Sequence, residues 1–148
     1  MVQVKMKQLP HAKGLPLPEY GTEGSAGVDL RAAVEAEVTI PAGGFIMVPT
    51  GLVIALPEGY EGQVRPRSGL AAKYGVTLLN APGTIDSDYR GEIQVILVNH
   101  GPEPFRIQRG DRIAQLVVAP VTKIEWVACE ALDHTTRGSG GFGHTGTK

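Results

Sequence analysis

Apolar and polar residues alternate over short stretches of this chain. Glycine or proline interrupts them at intervals of roughly eight to twelve residues, which is the spacing of a sandwich, jelly roll or barrel. Residues 2–6 (VQVKM) alternate, and Val38–Ile40 runs into the turn Pro41-Ala42-Gly43-Gly44. Residues 45–48 and 52–56 flank Pro49-Thr50-Gly51, and residues 92–99 (EIQVILVN) make the longest strand candidate. Two more candidates, 113–119 and 123–127, are split by Pro120. Only residues 68–75 (SGLAAKYG) read as a helix, with Ser68 as N-cap and Gly75 as its left-handed stop. The pattern therefore predicts an all-β fold, a sandwich, jelly roll or barrel, with one short helix. The core spans residues 1–134. Trp126 and Cys129 read as packing residues.

Composition narrows this to one globular domain. The chain has 148 residues, of which 20 are glycine and 11 proline, a turn-rich proportion below that of low-complexity chains. Fourteen Lys and Arg stand against 15 Asp and Glu, a net charge of −1, which excludes a bulk polyelectrolyte partner such as nonspecific nucleic acid. The single cysteine cannot form an internal disulfide or a thiolate metal cluster, and the four histidines show no ligand spacing. No apolar run approaches the roughly 18 residues of a membrane span, and residues 1–10 lack a signal-peptide core. The expected location is cytoplasmic, with neither nucleic acid nor membrane as partner.

Candidate chemistry gathers in five segments: 26–32 (AGVDLRA), 65–73 (RPRSGLAAK), 80–93 (NAPGTIDSDYRGEI), 110–117 (GDRIAQLV) and 137–146 (RGSGGFGHTG). In the second, Arg67, the Ser68 hydroxyl and the Gly69 amide could converge on a phosphate at the start of the helix; equally, Ser68 could simply cap it. In the third, a hairpin carrying Asp86 over a bound phosphate could activate water as a general base, although an ordinary polar turn explains the segment as well. Alternation would put Asp86 and Asp88 on one side. Asp29 lies among apolar neighbours and reads as structural, whereas Gln115 either satisfies backbone or faces a ligand.

Residues 135–148 (TTRGSGGFGHTGTK) contain one large apolar side chain, Phe142, and read as a mobile tail that orders on a partner. Residues 138–143 match the dinucleotide-binding spacing G-x-G-x-x-G, but no strand precedes them in a βαβ unit and only five residues come after them. Residues 141–148 approach the phosphate loop, with Thr147 and Lys148 in the wrong order. What survives is local: Arg137 and glycine amides can wrap phosphates, and Phe142 can stack on a base.

In this order the five segments resemble the trimeric dUTPases. The resemblance spans most of the chain. It implies a β jelly roll, a homotrimer with shared active sites, and Mg²⁺-dependent conversion of dUTP to dUMP and pyrophosphate. That reaction supplies dUMP for thymidylate synthesis and keeps uracil out of DNA. By that resemblance Asp86 of GTIDSDYRG activates the attacking water. Asn80 and the backbone near Gly83 pair with uracil, and Tyr89 packs on the deoxyribose, leaving no room for a 2′-hydroxyl. Arg67, Ser68, Gly69 and Gln115 hold phosphates. Arg137 reaches the γ-phosphate, and Phe142 covers uracil as the tail closes over a neighbour's site. The metal is held by triphosphate and waters, with Asp29 in an outer-shell or structural role. The related dCTP deaminases carry a catalytic glutamate where this chain has Ile96, which argues against deamination.

Overall fold

The computed structural model describes residues 1–146; Thr147 and Lys148, which end the tail, lie outside the described residues. Eleven strands lie among those residues. They are β1 (Lys5–Gln8), β2 (Val28–Arg31), β3 (Val38–Ile40), β4 (Phe45–Pro49), β5 (Leu52–Ala55), β6 (Tyr60–Arg65), β7 (Val76–Leu78), β8 (Gly83–Ile85), β9 (Gln94–Asn99), β10 (Phe105–Ile107) and β11 (Arg112–Pro120). One α-helix, α1 (Ser68–Tyr74), and a 3-10 turn at Pro10–Ala12 complete the regular structure. The strands form a four-stranded sheet in the order β2-β11-β6-β8, a three-stranded sheet β4-β9-β7, and the pairs β1-β5 and β3-β10. Every pairing is antiparallel, and the result is a jelly-roll β fold, one of the architectures the turn spacing allows and the one the family resemblance implies.

The apolar positions of these strands meet in one core. Leu30, Ile40, Val48, Val95, Leu97, Ile107 and Ile113 are all but fully buried, and they come from six different strands and the residues beside them. Burial of such side chains is the main favourable term for so short-stranded a fold. Asn99 is buried among them without penalty. Its amide nitrogen donates to the carbonyls of Ile40 (3.1 Å) and Glu103 (2.7 Å), and its oxygen accepts from Gly101 N at 2.9 Å.

Three local expectations are corrected. Ser68 does not cap α1: the N-cap position is Arg67, no side chain caps the helix, and Ser68 is its first residue. Residues 123–127 form no strand, because β11 runs to Pro120 and no strand of the described chain pairs with residues 121–127. Accordingly Trp126 is 88% exposed and Cys129 is exposed, so in the single chain neither packs. Gly75 does stop the helix, in the left-handed region at φ 68°, with its N–H directed to the carbonyls of Ala71 and Leu70.

Candidate active site

Strand register explains why three of the five segments become neighbours. Gln115 on β11 stands opposite Asp29 on β2 at one side and Arg65 on β6 at the other. Asp29, Arg67, Ser68, Gly69 and Gln115 consequently line one cavity of about 500 Å³. Asp29 faces two guanidinium groups, with Oδ1 3.2 Å from Arg67 Nε and Oδ2 3.2 Å from Arg112 Nη1. Arg67 Nη1 also donates to the Arg112 carbonyl at 3.1 Å. The carboxylate thereby holds Arg67 at the cavity and Arg112 beside it; Arg65 and Arg67 face the cavity together with Glu19 and Asp29, and their guanidinium groups can fork onto phosphate oxygens. Gln115 donates through Nε2 to the Pro66 carbonyl at 3.2 Å, so it satisfies backbone while its second N–H remains available to the cavity. Gly27 suits this packing: a Cβ there would lie 3.1 Å from Val117 and 3.4 Å from Gln115 Oε1. With α1 only seven residues long, side chains rather than a helix dipole carry the positive charge here.

The connection from β7 to β8 builds a second set; it is not the hairpin expected there, because β7 pairs with β9 and β8 with β6, so the chain crosses from one sheet to the other. Asn80, Gly83 and Tyr89 share a cavity of about 230 Å³ with Ile96 and other apolar side chains of the sheets. A Cβ on Gly83 would lie 3.3 Å from Asn80 Nδ2, so backbone and carboxamide stand side by side in a largely apolar pocket. Polar groups so placed can recognise the edge of a flat heterocycle. Tyr89 folds back on its own loop, its hydroxyl donating to the Glu92 carbonyl at 3.0 Å. Ile96 is a wall of this pocket and offers no group that could carry a proton.

Asp86 comes directly after β8 and turns away from that pocket. It borders a hollow of about 670 Å³ together with Asp88 and Arg90. Their common side is the product of a turn and not of strand alternation, since β8 ends at Ile85 and Tyr89 N returns to the Asp86 carbonyl at 3.1 Å. Arg90 closes the turn from outside, donating to the carbonyls of Ser87 (2.7 Å) and Tyr89 (2.8 Å).

The tail stands apart from both sets. Arg137 Nε donates to the Gly140 carbonyl at 2.8 Å, and Phe142 is fully exposed with a left-handed backbone at φ 51°. Arg137 borders a hollow formed by tail residues alone. One chain thus brings Asp29, Arg67, Ser68, Gly69 and Gln115 together, and separately Asn80, Gly83 and Tyr89. It joins neither group to Arg137 and Phe142. Sequence reasoning passed over Arg112, although it lies in the fourth segment, and over Glu92 and His11. A charged residue three positions before Gln115 was the available signal for Arg112; nothing local pairs His11 with Glu92. Among the described residues no group of three or more His, Cys, Asp or Glu could hold a metal ion.

A family model described as dUTPase matches residues 13–146 of this chain. The deoxyuridine 5′-triphosphate nucleotidohydrolase of Maricaulis maris is 60% identical over 149 residues, covering 99% of this chain and 98% of that protein. Among solved structures, the dUTPase of Staphylococcus bacteriophage 80alpha with dUPNHPP superposes at a TM-score of 0.87 with 25% identity, covering 98% of this chain and 99% of that one. A G164S mutant of the same phage enzyme with dUpNHpp gives the same TM-score, identity and coverage.

Proposed function

The chain belongs to the dUTPase family and is a dUTP diphosphatase, and from that premise we propose how its residues divide the work. Asp86 takes a proton from water as the water oxygen bonds to the α-phosphorus. The bond from that phosphorus to the β-bridging oxygen breaks, and dUMP and pyrophosphate leave. Asn80 and the Gly83 backbone hold uracil, and the Tyr89 ring packs against the deoxyribose. Arg67, Ser68, Gly69 and Gln115 bind the phosphates, with Asp29 fixing Arg67 and Arg112 in place. Arg137 and Phe142 belong to a tail, residues 135–148, that closes over the γ-phosphate and the base. Catalysis is then mainly positioning and charge stabilisation.

The observation that carries this reading is the separation of the three sets. Each is chemically incomplete, yet with Asp86, which borders a neighbouring hollow, their sum is what a deoxyuridine triphosphate needs: a base pocket, an arginine-lined phosphate cavity and a cover. A homotrimer in which one subunit gives the β7–β8 connection with Asp86, another the phosphate cavity and another the tail would complete them. The exposure of Ile124, Trp126, Val127 and Leu132 supports such contacts, since so many large apolar side chains on one short segment favour burial against another chain. The phage relative's ligand, written dUpNHpp, fits a deoxyuridine nucleotide as substrate.

Magnesium fits the donor set in a particular way. With no protein cluster of three carboxylate or imidazole ligands among the described residues, the ion would take its oxygens from the triphosphate and water. Bound there, it supplies charge compensation for the phosphates. Asp29, already engaged by two arginines, is outer-shell or structural. The product dUMP would feed thymidylate synthesis, and removal of dUTP would keep uracil out of DNA.

The test is pyrophosphate release from dUTP, dTTP, dCTP and UTP in the presence of Mg²⁺. Strong turnover of dUTP alone is expected. Comparable turnover of dTTP or UTP would contradict the base and sugar assignments.

A further inference from the structure

Tyr89 owes its position to three residues to which the proposal gives no contact with substrate, although one of them, Glu92, borders the Asn80–Gly83–Tyr89 cavity. Its ring lies directly across Gly91: a Cβ added there would collide with the Tyr89 hydroxyl and stand 2.5 Å from Cζ. The Gly91 backbone is not in the left-handed region, so what the position requires is empty space. Beyond Gly91, the hydroxyl donates to the Glu92 carbonyl at 3.0 Å. The Glu92 carboxylate in turn is only 18% exposed, and its Oε1 accepts from His11 Nε2 at 2.6 Å and from Gly51 N at 2.7 Å. Gly51 is itself wedged under the Pro10–Ala12 turn, where a Cβ would collide with Ala12. The two donors on one carboxylate oxygen tie the Tyr89 loop to the N-terminal segment across 81 residues of sequence.

We infer that Gly91, Glu92 and His11 are positioning residues that set the Tyr89 ring and, through it, the discrimination between deoxyribose and ribose; this rests on Tyr89 packing against the sugar. Gly91 supplies the room for the ring, the Glu92 carbonyl fixes its outer end, and His11 with Gly51 N fixes Glu92. A ring released from this hold can swing away from the sugar, and the space it leaves admits a 2′-hydroxyl. The loss should fall on the ratio of kcat/KM for dUTP to that for UTP, and not only on overall rate.

The experiment measures that ratio in Gly91→Ala, Glu92→Ala, Glu92→Gln and His11→Ala, alongside thermal melting of each. Gly91→Ala is expected to lower it most, by about tenfold or more, because the ring must move. Glu92→Ala and His11→Ala should each lower it by roughly two- to tenfold, the span of one net hydrogen bond, and the double variant should add little. Glu92→Gln keeps an acceptor for Gly51 N and should recover most of the ratio. If Gly91→Ala, Glu92→Ala and His11→Ala fold and slow both substrates equally, the residues are merely structural and the inference is overturned. Should Glu92→Ala not fold, Gly91→Ala and His11→Ala decide. A wild-type protein that turns over UTP as well as dUTP would instead refute the role of Tyr89 itself.

Discussion

Asp29 and Asp86 are both aspartates near apolar sequence, and their surroundings give them opposite uses. Asp29 is held between Arg67 and Arg112, with both oxygens engaged. Asp86 has no ion pair among the described residues and stands at the head of a turn, bordering an open hollow. A carboxylate left unpaired beside a cavity is the one able to accept a proton from water, which favours Asp86 as the proposed base. Asp86→Asn should bind a nonhydrolysable dUTP analogue within about threefold of wild type while turnover falls by roughly 10²–10⁴-fold, the usual worth of general-base help. Steady-state kinetics and an equilibrium titration check this, and near-normal turnover would remove Asp86 from the chemistry. At this scale the candidates were legible where residue type and local neighbours suffice, as for Arg67, Asn80 and Tyr89. The Asp29–Arg112 pair spans 83 residues and appears only once β2 and β11 are in register.

The elements match the sequence pattern where breakers bound a β-branched run. Val38–Ile40 and the strands β4, β5 and β11 lie where the pattern puts them, to within a residue or two at their ends. Strands β7, β8 and β10 are three residues each, as β3 is, but they lack its β-branched run ending at the turn Pro41-Ala42-Gly43-Gly44, and they show only once neighbouring strands pair with them. The helix is also brief, so its stop matters. Gly75 needs positive φ, and a Cβ there would sit 2.8 Å from Gly101 N. Gly75→Ala should therefore destabilise the fold by about 1–2 kcal/mol or more in urea melts; an unchanged midpoint would show that the loop relaxes freely. The tail behaves as a separable element in the proposed account, since none of the core strands pairs with it. Deleting residues 135–148 should leave the melting transition within a few degrees of wild type and lower dUTP turnover by an order of magnitude or more, as loss of an arginine and a stacking ring from the closed site implies. Undiminished turnover would mean that the segment is no lid.

For the molecule as a whole, the all-β class was readable from turn spacing, whereas the choice of a jelly roll and the sharing of a site between chains were legible only through the family resemblance. The five segments run in one order along the sequence, and that order does not tell which of them meet within one chain. The folded chain distributes them over four places, because the jelly roll sets the β7–β8 connection, the turn that carries Asp86, the β2–β11–β6 sheet and the C-terminal segment on different parts of its surface. The central proposal is that copies of the chain reunite them. Its most direct test mixes two inactive proteins, Asp86→Asn and the 135–148 deletion, refolds them together, and isolates assemblies containing both. If Asp86 and the tail of one site come from different subunits of a trimer, each assembly that contains both proteins has one site in three with both an intact Asp86 and an intact tail, and dUTP turnover of the isolated mixed assemblies should recover to about a third of wild type. Turnover no greater than the sum of the two parents, in assemblies verified as mixed, would contradict the proposal that Asp86 and the tail of one site come from different subunits.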